Sequence, residues 1–386
     1  MVGAQVSADP TSWYPAASTR LLTVAERWTQ RRWWAARTTA LTVVVSLVVA
    51  FPSYNDLDTS DPTWVGLRFR AAHGLFDHAG LSTSSRAYEL TFRVTVPLLA
   101  KVLHLGSTAG FLAIQAAGGV ALILMVALLM ERITGDRVVA TLVTLALAST
   151  WIGACGFCEL RGNFDAVALA LLMAAAYFRH PLLVLLFGVA AAWTDERCVL
   201  ALVLVAIFHV VLDGPVSVRR LWRSPQVITI AGAIVVYLAT RVAVSVSYDL
   251  SQPHTRLYTT DQLNNVPAGL WVAFEGLWLL IAAGWFVTIK QRHWLLLATT
   301  LLPFAAICFL AISVVDITRG FLFASPALLL AFAELRHVDR AWLRKAALWA
   351  AGVTLLWPVS YVGGKSTVFW QFPLPIQLLR FAGLAS

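Results

Sequence analysis

Five groups of charged residues stand out of an otherwise apolar chain, and most mix side chains able to do chemistry. They are Asp56, Asp58 and Asp61; Glu159, Arg161 and Asp165; Asp195, Glu196 and Arg197; Asp249; and Asp316 with Arg319, while Arg93 sits in an apolar stretch. A carboxylate within hydrogen-bond reach takes the proton from an attacking hydroxyl. Arginine offers a planar, permanently charged fork that matches a phosphate or carboxylate with two parallel hydrogen bonds. Together the two types suit a site that deprotonates one partner and holds an anion on another. The plainer alternative is a set of local pairs, Arg161 with Asp165 at i, i+4 and Asp316 with Arg319 at i, i+3, that only neutralise helix ends.

The elements that must position these groups belong to a membrane. Hydrophobic residues make up 59% of the chain and charged residues 13%, with a mean hydropathy of +0.75, far from a soluble domain. Apolar segments near 36–54, 109–130, 138–157, 164–178, 181–194, 198–212, 226–247, 270–289, 294–314, 318–333 and 346–363 predict an all-α polytopic protein of about eleven transmembrane helices. Basic residues set the orientation. Arg20, Arg27, Arg31, Arg32, Arg37, Arg132, Arg137, Arg179, Arg219, Arg220, Arg223, Lys290, Arg292, Arg336, Arg340, Arg344 and Lys345 fall on one side, 17 of the 29 Lys and Arg. That side is cytoplasmic, with the N-terminus inside and the C-terminus outside. All five acidic groups then share the outer face. The net charge of +9 is dispersed among short loops, which fits anionic lipid and argues against nucleic acid.

Three regions follow: a polar, partly disordered cytoplasmic tail over 1–35, a single transmembrane domain over 36–363, and an extracytoplasmic tail over 364–386. The first outer loop, 55–108, is the longest. Within it 62–80 reads as an amphipathic helix in the interface plane, with Trp64, Leu67, Ala71, Leu75 and Ala79 on one face and Arg70, His73 and Asp77 largely on another. The stretch 92–105, interrupted by Pro97 and Lys101, reads as re-entrant or interfacial. The runs 181–193 and 198–212 are short for spans, so the elbow Thr194-Asp195-Glu196-Arg197 should sink below the outer surface. Cys155 and Cys158 have redox-motif spacing without the βαβ context, which leaves a structural disulfide as the alternative to two plain thiols. His73 and His78 lack a third ligand for zinc.

Three stretches of the first half carry a resemblance. Tyr54-Asn55-Asp56-Leu57-Asp58 is similar to an Asp-x-Asp segment that follows a first span. Leu90-Thr91-Phe92-Arg93-Val94-Thr95-Val96-Pro97-Leu98-Leu99-Ala100 resembles a Tyr-Arg-x-x-Pro-Leu-Leu-Ala stretch, with Phe92 for tyrosine and one residue more before the proline. Arg161-Gly162-Asn163-Phe164-Asp165 looks like an Arg-Gly-Asn-x-acidic motif opening a span. Together they resemble the GT-C superfamily of membrane glycosyltransferases, nearest to the first mannosyltransferase of glycosylphosphatidylinositol synthesis and its bacterial polyprenol-dependent relatives. The family's later histidine-lysine-tyrosine-proline run is absent, and Thr194-Asp195-Glu196-Arg197 stands near its place.

The resemblance implies a GT-C-like fold, a polyprenyl-phosphate sugar donor such as a mannosyl lipid, a lipid or glycan acceptor, and a bacterial cytoplasmic membrane with the site on its outer face. Asp58, or Asp56 as the alternate, would be the catalytic base. Arg93, Arg161, Arg197 and Arg319 would bind phosphate, with Glu159, Asp165, Asp195, Glu196 and Asp316 orienting them or meeting sugar hydroxyls. Trp64 and Trp193 are candidates to stack on sugar. The Asp-x-Asp pair leaves a divalent cation open as the one cofactor. Rival classes are a polysaccharide polymerase or ligase, a transporter or flippase of anionic or lipid-linked substrates, and a membrane scaffold.

Overall fold

The computed structural model describes residues 13–77, 88, 90–250, 259–363 and 367–384. Among these the chain is helical almost throughout. α1 (Trp13–Thr29) and α2 (Trp34–Val49) meet at Trp33, whose φ of 62° makes a left-handed corner. Of the partly disordered tail expected over 1–35, the part from Trp13 to Thr29 is helical as α1, and residues 1–12 lie outside the described residues. Trp28 of α1 lies under the Arg37 guanidinium at 4.1 Å, and Glu26 accepts from Arg344 at 2.6 Å, so the helix is tied to the bundle.

The long first connection is folded onto the helices behind it. α3 (Pro62–Ala72) starts where the Asp61 carboxylate accepts the Thr63 N–H at 2.7 Å and Pro62 pre-sets the first turn. It ends at Ala72, shorter than the helix expected over 62–80; residues 78–80 lie outside the described residues. α4 (Thr95–Val102) follows. Trp64, Leu67 and Ala71 of α3 and Val96 and Ala100 of α4 form a small core with Phe111, Ile114, Phe164 and Val167. Arg70, expected on the polar face, is buried instead and donates to the Leu90 and Thr91 carbonyls at 2.8 and 3.2 Å.

The bundle proper runs through α5 (Thr108–Thr134), α6 (Arg137–Ala146), α7 (Trp151–Cys158), α8 (Asp165–Tyr177), α9 (Pro181–Thr194) and α10 (Cys198–Asp213). Then come α11 (Val218–Arg223), α12 (Pro225–Ser247), α13 (Thr259–Gln262), α14 (Val266–Phe274), α15 (Leu277–Lys290), α16 (Trp294–Ile312), α17 (Ile317–Leu322), α18 (Pro326–Leu335) and α19 (Arg340–Leu356). A hairpin of β1 (Ser360–Gly363) and β2 (Thr367–Trp370), antiparallel with Ser360 opposite Trp370, leads to α20 (Leu374–Phe381).

By length and composition α5, α12 and α16 can each cross a membrane. Two bent pairs, 137–149 with α7 at 56° and 263–274 with α15 at 91°, raise the number to five. Among the described residues three to five helices are thus candidate spans, which points to a membrane protein; the hydropathy pattern predicts about eleven. The difference lies in six segments: α2, α8, α9, α10 and α18, which are apolar but only 10–17 residues long, and α19, which is not among those apolar helices. The 14 residues of α9 rise about 21 Å, short of a hydrocarbon core of about 30 Å.

Glycine sets one of the close helix contacts. A Cβ on Gly156 of α7 would lie 2.6 Å from the Gly119 Cα of α5, so the two backbones touch with no side chain between them. That contact fixes the end of α7, where the charged loops begin.

Candidate functional site

The loop between α7 and α8 is built around one buried carboxylate. Glu159, 4% exposed, accepts from the Arg161 N–H at 2.6 Å, the Asn163 N–H at 3.1 Å and the Asn163 side-chain amide at 3.1 Å. Gln115 of α5 donates to the carbonyls of Glu159 at 2.6 Å and Cys155 at 3.0 Å. Burial raises the Glu159 carboxyl above its usual 4.5, against the opposing pull of Arg319. Gly162 has a φ of +72°, and a Cβ there would meet Leu67 at 3.0 Å, so only glycine fits. Phe164 is also left-handed, at 59°. These two turns break the register between Arg161 and Asp165. Arg161 is left exposed while Asp165 opens α8 inside the protein.

Asp165 is the middle of a chain of ion pairs. Arg319 of α17 grips it from Nε at 2.6 Å and Nη2 at 2.8 Å, and spends Nη1 on Asp316 at 2.9 Å. Arg197 approaches Asp165 at 3.5 Å and holds Asp195 from Nε at 2.8 Å and Nη2 at 2.6 Å. Arg93 closes the far end on Asp195 at 3.1 Å and Glu196 at 3.5 Å. The order is Glu196, Arg93, Asp195, Arg197, Asp165, Arg319, Asp316. Desolvating such ions costs several kcal/mol each, and only close partners offset it. Burial alone would raise the Asp195 carboxyl, but Arg197 and Arg93 outweigh it and hold the group below the usual carboxylate range. Of the two local pairs the spacing allows, Asp316–Arg319 forms and Arg161–Asp165 does not.

Beside this chain lies a cavity of about 460 Å³. Asp56 and Ser53 line it from the segment after α2, Trp151, Glu159, Arg161 and Asn163 from α7 and the loop, and Arg319 from α17. Tyr361, Phe369, Trp370, Phe372 and Arg380 line it from the C-terminal segment. That segment, which overlaps the tail expected over 364–386, is a strap bound to the bundle. The Val362 N–H donates to Thr318 Oγ1 at 2.9 Å, the Phe51 N–H to the Phe372 carbonyl at 3.1 Å, and Gln377 Nε2 to Ser53 Oγ at 2.6 Å. Asp56 and Arg380 therefore ride on segments hydrogen-bonded to each other.

The predicted residues divide accordingly. Asp56, Glu159, Arg161 and Arg319 border the cavity; Arg93, Asp195, Glu196, Arg197, Asp165 and Asp316 lie along the ion-pair chain and are not among its lining residues. Asp58 is exposed and turned onto Ser60, whose hydroxyl at 2.5 Å and N–H at 2.8 Å hold its carboxyl below the usual value. Trp64, a candidate sugar platform, is 2% exposed in the small core. Trp193 packs on Phe76 and Tyr237, and Asp249 is not among the residues lining the cavity. Cys155 and Cys158 are free, buried thiols, which removes the disulfide alternative. His78 lies outside the described residues. Among the described residues no three His, Cys, Asp or Glu side chains gather as a metal site.

The sequence reading missed Trp151, Tyr361 and Arg380. The one available signal was the run Val368-Phe369-Trp370 with Phe372 after paired glycines, a strand-and-turn pattern. The chain matches no protein-family model, no curated protein and no solved structure.

Proposed function

We propose that the chain is an integral membrane glycosyltransferase, moving a sugar from a polyprenyl-phosphate donor to a lipid or glycan acceptor on the extracytoplasmic face of a bacterial cytoplasmic membrane. The observation that carries the reading is the cavity shared by Asp56, Arg161 and Arg319 and ringed with aromatic side chains. Its volume lies in the range of small-ligand sites. Aromatic rings suit the faces of a sugar, and arginines suit the phosphate. In the step proposed, the acceptor hydroxyl gives its proton to Asp56 as its oxygen bonds to the sugar C1. The bond from C1 to the phosphate oxygen breaks, and polyprenyl phosphate leaves with the electron pair. Asp56 takes this role rather than Asp58, because Asp56 lines the cavity while Asp58 is exposed and turned onto Ser60.

The membrane arrangement proposed with it is GT-C-like. Counting the five shorter apolar helices and α19 beside the five stronger candidates gives eleven crossings. Locally thinned bilayer or tilted neighbours accommodate the short ones. The basic-residue asymmetry then puts α1 inside and the cavity outside.

The test is transfer in proteoliposomes holding the purified chain and a radiolabelled polyprenyl-phosphate sugar. Label moving into acceptor with release of equimolar polyprenyl phosphate supports the reading. A second reading, a carrier of lipid-linked anions, is favoured by the two bent pairs of helices; it predicts that the donor crosses the bilayer with its sugar still attached.

A further inference from the structure

Charge accounting around the cavity separates its arginines into two kinds. Arg319 is committed: all three of its donor nitrogens are taken by Asp165 and Asp316. Arg161 and Arg380 are not. Neither has a carboxylate partner among the described residues, and both face the same cavity. Each instead lies against an aromatic ring of the C-terminal strap, Arg161 over Phe369 at 5.5 Å and Arg380 over Phe372 at 5.0 Å. An arginine stacked this way keeps its in-plane N–H donors free for an anion. Glu159 accepts from the backbone N–H groups of Arg161 and Asn163 and from the Asn163 amide, and makes no ion pair with either guanidinium among the described residues. A third donor waits nearby: Trp151 is 4% exposed, lines the cavity, and its buried Nε1–H meets no acceptor. A buried indole N–H usually finds a partner.

From this we infer that Arg161 and Arg380 form the phosphate subsite of the cavity, and that the strap carrying Arg380 completes it for a lipid-linked phosphate ester. The assignment rests on the glycosyltransferase reading for its chemistry. A glycosyl phosphodiester carries one negative charge, and the departing lipid phosphate gains a second as the C1–O bond breaks. Two uncommitted guanidiniums therefore bind the leaving group more strongly as charge develops, which is where electrostatic help accelerates a reaction. The strap also says which phosphate. Leu378, Leu379, Phe381 and Leu384 on and after α20 are exposed apolar side chains beside Arg380. Such a surface suits lipid rather than water.

The experiment measures binding of farnesyl phosphate, farnesol and inorganic phosphate to the purified full chain in detergent. Wild-type protein should bind farnesyl phosphate well above the other two. Arg161→Gln and Arg380→Gln should each weaken farnesyl phosphate by roughly tenfold or more, the worth of a charge-assisted bond pair. Farnesol binding and melting temperature should stay unchanged, Arg380→Lys should recover part of the loss, and Arg179→Gln should bind as wild type. Equal affinity for inorganic phosphate would overturn the lipid assignment, and undiminished binding in Arg380→Gln would overturn the subsite. Kinetics separate this inference from the one beneath it. Transfer by Arg380→Gln with unaltered KM for the lipid-linked donor and unaltered kcat removes the subsite and leaves the transferase. Arginine-dependent farnesyl phosphate binding without transfer from any lipid-linked sugar keeps the subsite and removes the transferase.

Discussion

Asp165 and Arg319, 154 positions apart in sequence, meet in a two-bond pair at 2.6 and 2.8 Å. The pair joins the start of α8 to α17, and through Arg197 and Arg93 it reaches the elbow after α9 and the turn before α4. It is the crosspiece of the charged end of the bundle.

Asp165→Asn should be costly for that reason. Removing this carboxylate leaves the Arg319 and Arg197 guanidiniums buried with one partner fewer, a change of about 3–5 kcal/mol where one half of a buried pair is deleted. Unfolding of the solubilised protein measures it. The double variant Asp165→Asn/Arg319→Gln should cost clearly less than the two single changes added together.

How far the sequence could be read is clearest at this pair. The charged groups themselves were legible from hydropathy and charge, and so was a charged elbow after α9, where Asp195 is buried. The partner of Asp165 was not, because helical spacing offers Arg161. Only the left-handed backbone at Gly162 and Phe164 shows that the two residues are not on one helix. Arg380 was hidden for a different reason. A short amphipathic helix after a two-stranded hairpin leaves no strong periodic signal, and its place depends on tertiary bonds to Ser53 and Phe51. The short apolar helices read as crossings from composition; their lengths of only 10–17 residues were less legible, because hydropathy registers composition more readily than length.

Glu159 predicts a particular pH dependence. Burial raises its folded carboxyl above the usual 4.5, so the folded state keeps the proton to higher pH than the unfolded chain. Stability from this group is complete below about pH 4.5 and declines as pH rises through the raised folded value. Melting temperature followed from acid towards neutral pH should therefore fall more steeply in wild type than in Glu159→Gln. Parallel curves would show that Glu159 ionises in the fold as freely as in water.

Gly156→Ala tests the helix contact that carries the loop. Its new Cβ at 2.6 Å from the Gly119 Cα must push α5 and α7 apart. Overpacking of this kind costs about 1–3 kcal/mol, read as a lowered unfolding midpoint. Gly232, with open space around it, is the control and should tolerate alanine.

Orientation is checked with reporters. One fused after the C-terminus should be active only outside the cytoplasm, and one in the 213–225 connection only inside, as the basic residues there require. The reverse labelling would put the cavity on the cytoplasmic side.

The central claim is that Asp56 is the base for glycosyl transfer in the cavity, and the comparison of Asp56→Asn with Asp58→Asn tests it most directly. Initial rates of sugar transfer from a polyprenyl-phosphate donor are measured for both variants, with unfolding midpoints confirming that each is folded. Asp56→Asn should lose roughly 10²–10⁴-fold in kcat, the range for general-base help, while Asp58→Asn stays near the wild-type rate. Wild-type transfer by Asp56→Asn, or loss confined to Asp58→Asn, would contradict the account.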